Sequence, residues 1–138
     1  MSRDKRLVLS LVERGWHAAR ECSLALHRDG IATLHLVKGR LPPEVSRLVS
    51  QKPGVGLSGV PYHLFWPAAY LVCRWWCQRG RLLAVLVDND RSRRRVSGWL
   101  GREAGRVVLV QDTDAGWQCA RGGRSFPSAS WREAFADA

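Results

Sequence analysis

Five short polar groups carry the side chains best suited to chemistry: Glu13-Arg14-Gly15-Trp16-His17, Lys38 with Arg40, Tyr62-His63, Asp88-Asn89-Asp90, and Asp112 with Asp114. His17, near an expected helix start, suits a general base or a contact to a ligand hydroxyl, although a solvated histidine is the commoner outcome. Glu13 is the second candidate catalytic residue. Arg14 and Lys38 suit phosphate or other anions. Gly15 lets backbone approach a ligand, and a helix beginning just after it offers free N–H groups to an anion. Asp88, Asn89 and Asp112 suit hydroxyl groups, and Asp88 with Asp90 offers the oxygens that hard cations prefer. Asp90 equally suits a helix N-cap, a contribution of about 1 kcal/mol. No GxxxxGK[ST] occurs, and the loop at Gly15 carries no GxGxxG.

These groups matter together only if the fold gathers them. Leu82 to Val87 is an unbroken apolar run of strand length, as expected of a strand covered on both faces. It stops at Asp88-Asn89-Asp90, and a helix follows with Val96, Trp99, Leu100 and Ala104 on one face and Gly105 at its end. Arg91, Arg93, Arg94 and Arg95 crowd its first turns, where cations oppose the helix dipole by roughly 0.3–1 kcal/mol each. Neighbouring carboxylates or an anionic ligand would offset that. Earlier, Leu7 to Val12 reads as a strand and His17 to Arg28 as a helix closed by Asp29-Gly30. Ile31 to Val37 is a second strand, completing a unit of βαβ size. Pro42-Pro43 starts a short helix with Val45, Leu48 and Val49 on its apolar side. Lys52-Pro53-Gly54 is a turn, and Val55 to Val60 a glycine-rich strand. A helix from about Pro67 places Ala68, Ala69, Val72, Trp75 and Trp76 toward the core, with Trp66, Tyr70, Cys73 and Cys77 on another side. Val107 to Val110 is a fifth strand. Residues 115–138 read as an irregular tail with one short helix at Trp131, Ala134 and Phe135.

Alternating strands and helices predict one domain over residues 1–138: a three-layer Rossmann-like α/β fold with a mostly parallel five-stranded sheet. The expected order is 3-2-1-4-5, with the flavodoxin-like order as rival. Either order sends the five polar groups to one rim, beyond the carboxyl ends of the strands.

The composition sets further bounds. There are 22 Lys and Arg against 12 Asp and Glu, a formal charge of +10, which suits nucleic acid, acidic lipid or phosphate-bearing partners. An arginine-rich composition without functional meaning is the competing explanation. The start of the chain has too short an apolar core for a signal peptide, so a cytoplasmic protein with free thiols is expected. No CxxC or HxxxH pair suggests zinc, and no run is long enough to span a bilayer.

The segment LVLSLVERGWHAARECSLALHRDGIATLHLVKG resembles the opening of the N-terminal domain of GT-B glycosyltransferases, with Leu24-Ala25-Leu26 and Gly30 matching its helix end. AAYLVCRWWCQRGRLLAVLVDND and VVLVQDTD are similar to later helix and strand units of that family, so the likeness spans about residues 7–114. It implies an acceptor-binding half of a GT-B enzyme or a stand-alone relative. It also implies a sugar nucleotide or phosphate-bearing acceptor as ligand, a second glycosyltransferase subunit or domain as partner, and peripheral contact with an anionic membrane surface. No cofactor is implied. The single Gly15 stands where the family commonly has two glycines, and 138 residues are too few for both halves.

Two other classes compete. Glu13 with Asp88-Asn89-Asp90 looks somewhat like the acidic set of Toprim domains, which would make this a Mg²⁺-dependent nucleic-acid module. A non-catalytic interaction domain would instead use the tryptophan-rich helix as its docking face.

Overall fold

The computed structural model describes residues 7–13, 16–39, 55–114 and 116–135. Its centre is a seven-stranded sheet in the order β3-β2-β1-β4-β5-β6-β7. The strands are β1 (Leu7–Val12), β2 (Ala32–Lys38), β3 (Val55–Val60), β4 (Leu82–Val87), β5 (Val107–Thr113), β6 (Gly116–Arg121) and β7 (Arg124–Pro127). The first five are parallel, in the predicted 3-2-1-4-5 order; β6 and β7 are antiparallel. The helices are α1 (Trp16–Arg28), α2 (Tyr62–Gln78), α3 (Asp90–Leu100) and α4 (Trp131–Phe135).

Helices cover both faces of the sheet, giving the three-layer α/β architecture. On one face Ala18, Cys22, Ala25 and Leu26 of α1 pack with Val8, Ala84, Leu86, Val108 and Val110, and α4 joins them through Trp131, Ala134 and Phe135. On the other face α2 and α3 lay Phe65, Ala69, Cys73, Val96 and Leu100 over Leu9, Leu11, Val85, Val87 and Val107. All six residues of β4 are buried, which explains its unbroken apolar sequence: a central parallel strand has no solvent side.

Several boundaries differ from the sequence expectation. Within the stretch expected to be irregular, residues 116–127 form the β6–β7 hairpin, so the sheet has seven strands rather than five; Phe126 and Cys119 bury against the α1 side. Short strands broken by Gly116, Gly122 and Gly123 give little alternating pattern to read. Helix α2 begins at Tyr62, not Pro67. Burial of Phe65 in its first turn offsets the bond that Pro67, lacking an N–H, leaves unmade. Ala68, Ala69, Val72 and Trp76 face the core as expected, but Phe65 and Cys73 are buried with them, Cys77 is partly buried, and Trp75 is turned out and 54% exposed. Helix α3 ends at Leu100, because Gly101 adopts φ 56°, and a 3-10 turn carries the chain from Gly101 to Arg106. The proposed helix at 42–50, the turn at 52–54, and Arg40 lie outside the described residues.

Arginines bind the periphery together. Arg106 donates to the Leu82 carbonyl at 2.8 Å and pairs with Glu103. Arg121 donates to the Ala134 carbonyl at 3.0 Å. Arg132 grips both oxygens of Asp29 at 3.0 Å, fastening α4 to the end of α1. Part of the basic composition is therefore structural.

Gly39, directly after β2, sits at φ 97°, and a Cβ there would stand 3.1 Å from the Tyr62 ring. Gly39→Ala should destabilise the fold by about 1–3 kcal/mol from backbone strain alone; a loss below 0.5 kcal/mol in urea unfolding would show that this turn relaxes freely.

Candidate functional site

In the order 3-2-1-4-5 the strand order reverses between β1 and β4, and a crevice opens beyond their carboxyl ends. Glu13 follows β1, Lys38 ends β2, and Asp88 and Asn89 follow β4, so three strand ends deliver the groups that meet there. Glu13 is their hub. One carboxylate oxygen accepts from Asn89 Nδ2 at 3.0 Å and from the Ser92 hydroxyl. The other accepts from Lys38 Nζ at 3.2 Å. The Glu13 backbone N–H donates to Asp88 Oδ2 at 2.9 Å, and Asn89 also donates to Asp88 Oδ1 at 2.8 Å. The side chain of Glu13 is only 14% exposed. That burial pushes its pKa upward, but the bonds from Asn89, Ser92 and Lys38 outweigh it, and the carboxyl is held below its ordinary value.

Asn89, not Asp90, caps α3. Its Oδ1 accepts from the Ser92 N–H at 2.8 Å. The choice has a physical reason: the amide caps with its oxygen while its nitrogen donates to Glu13, whereas an aspartate would set a second anion against Glu13 and offer it no proton. Asp90 is free to occupy the first turn, where it bonds Arg93 and Arg94. Arg93 above all, with Arg94, holds the Asp90 pKa low.

The arginine run thus divides in two. Arg93 and Arg94 share the single carboxylate of Asp90. Arg91 and Arg95, one turn apart, line a cleft of about 190 Å³ together with Glu13, Lys38, Trp66 and Ser92. Neither Arg91 nor Arg95 is paired with a carboxylate among the described residues. The Arg95 guanidinium lies 4.5 Å from the Trp66 ring centre, and Lys38 Nζ lies 5.9 Å from the ring centres of both Phe65 and Trp66. Trp66 is therefore a wall of the cleft, braced edge-on by Trp99 at 5.8 Å. Sequence reasoning marked these arginines as an electrostatic puzzle and left Ser92 unmarked. The i, i+4 spacing of Arg91 and Arg95 was the available signal.

His17 and Asp112 form a second group. His17 Nδ1 is 2.7 Å from Asp112 Oδ1, with the side chains 54% and 48% exposed. Asp112 continues the alternation of Val108 and Val110, which pack beside α1, whereas Glu13 continues that of Leu9 and Leu11, which lie beneath α2 and α3. The expected common rim is thus one sheet edge with two stations, on opposite faces. Arg14 and Gly15 lie outside the described residues.

No protein-family model, curated protein or solved structure matches this chain. Any functional assignment therefore stands on the site itself.

Proposed function

We propose that the cleft between β1, β2 and the start of α3 binds the phosphoryl group of a sugar nucleotide or phosphate-bearing acceptor, in a glycosyltransferase-like domain. The observation that carries this reading is the pair Arg91 and Arg95, which line the cleft beside Lys38 without carboxylate partners among the described residues. Guanidinium forks match phosphate oxygens in geometry as well as charge. Glu13 spends its oxygens on Lys38, Asn89 and Ser92, so its role is to position the cations rather than to take a proton. The Asp112 carboxylate orients His17, which makes His17 the candidate base toward an acceptor on the other face.

Helix α2 extends the reading to a surface. Leu64, Leu71 and Trp75 are exposed and recur along one side of it. Arg79 lies 5.1 Å from the Trp75 ring centre, and the helix carries no acidic residue. Such a face suits contact with an anionic bilayer surface. Among the described residues no helix is long and apolar enough to cross a membrane.

One observation favours the nucleic-acid alternative: Glu13 and Asp88 stand together on adjacent strands. The donor set does not fit a Mg²⁺ centre, because Asp90 is turned to its arginines, and no three metal-binding side chains converge among the described residues.

Sugar nucleotides, polyprenyl phosphates in vesicles, and DNA should be titrated in parallel against the native chain and Arg95→Ala. The expected result is saturable binding of one of the first two, weakened about tenfold or more in the variant. Tight DNA binding with no response to the others would remove the glycosyltransferase-like reading.

A further inference from the structure

We infer that the cleft selects a terminal, doubly charged phosphate, a phosphomonoester or the end of a diphosphate, over an internal phosphodiester. The inference rests on the phosphate reading above and narrows it to the phosphate-bearing acceptor, since both phosphates of a sugar nucleotide are linked on two sides.

The charge balance carries the argument. Among the described residues, Lys38, Arg91 and Arg95 line the cleft against the single carboxylate of Glu13, three cations to one anion, which leaves a surplus of two. Asp88 keeps its negative charge but does not line the cleft; its oxygens accept from the Glu13 N–H and from Asn89. The amino end of α3, at Asp90 and Arg91, adds a partial positive charge. A phosphomonoester carries −1.5 to −2 near neutral pH and presents three strong acceptor oxygens, one for each cation. A phosphodiester carries a single charge and would leave part of the surplus unmatched.

The cleft has walls as well as charge. Its volume of about 190 Å³ is enough for a phosphoryl group. Trp66 under the Arg95 guanidinium closes one side, and the Glu13–Asn89–Ser92 network forms another.

The test compares methyl phosphate with dimethyl phosphate by calorimetric titration near neutral pH and at low salt, where surface charges are least screened. The monoester is expected to bind about tenfold tighter or more. Arg91→Ala and Arg95→Ala, both at exposed positions, should each weaken it about tenfold and narrow the ratio. A dinucleotide with a 5′-phosphate should likewise outbind its 5′-hydroxyl counterpart. Equal affinity for the two methyl esters overturns this selectivity while leaving phosphate binding standing. Failure of either ester, and of inorganic phosphate, to bind overturns the phosphate reading and the selectivity with it. Because the ester comparison uses the native chain, a variant that misfolds does not blunt it.

Discussion

Glu13→Ala should lower the unfolding free energy by about 3 kcal/mol, and the melting temperature by roughly 10 °C for a domain of this size. The side chain is nearly enclosed, and its two oxygens satisfy Lys38, Asn89 and Ser92 at once. Its removal strands an ammonium, an amide and a buried hydroxyl, and leaving buried donors unmatched costs more than forming their bonds gains. Glu13→Gln should cost less, because its carbonyl oxygen can still accept from Asn89 and Ser92 while its amide faces Lys38 without a charge. Chemical denaturation of both variants checks the order. Equal losses in the two would mean that charge pairing with Lys38, rather than the whole network, holds the strand ends. A loss below 1 kcal/mol for the alanine variant would mean that water replaces the carboxylate without difficulty.

The second large effect is one of acidity. His35 lies in β2 with its side chain fully buried, directly across from Ser10 of β1. Burial disfavours the charged imidazole and lowers its pKa from 6.5 to about 4. The unfolded chain therefore binds a proton in the window between these values that the folded chain refuses. Stability from this group is complete above pH 6.5 and declines as the pH falls toward 4, by about 2 kcal/mol at pH 5 and about 3 kcal/mol near pH 4. Glu13, whose folded pKa is also lowered, adds a loss in the same direction, but only below its ordinary value of 4.5. Urea unfolding from pH 7 to pH 4.5 should show the His35 slope, and His35→Leu should flatten it. A slope that survives in His35→Leu would assign the acid sensitivity elsewhere.

What could be read beforehand follows from how local the signals are. The parallel order 3-2-1-4-5 was legible because β1, β2 and β4 are apolar runs separated by helices with a clear apolar side. The hairpin was not, since Gly116 to Pro127 has short strands and glycines where alternation would be sought. Within the site, the strand-end positions of Glu13, Lys38, Asp88 and Asn89 followed from the fold class alone. Their division from His17 and Asp112 did not. It depends on whether each residue falls on an odd or even step of its strand, and a one-residue change in a strand boundary moves a side chain to the other face. The cap at Asn89 was missed for a related reason: Asp88, Asn89 and Asp90 all favour that position, and only the placement of Glu13 makes the amide the better choice.

The terminal hairpin also bears on how the protein behaves in a crowd. An edge strand offers a row of unmatched backbone groups, the template on which neighbouring molecules stack into aggregates. β7 keeps that row to four residues and ends it with Pro127, while Arg124 opens it with a charge and folds its guanidinium over Phe126. By carrying the parallel sheet through two reversed strands to so brief a border, the fold trades a long sticky margin for one on which a second molecule gains little purchase.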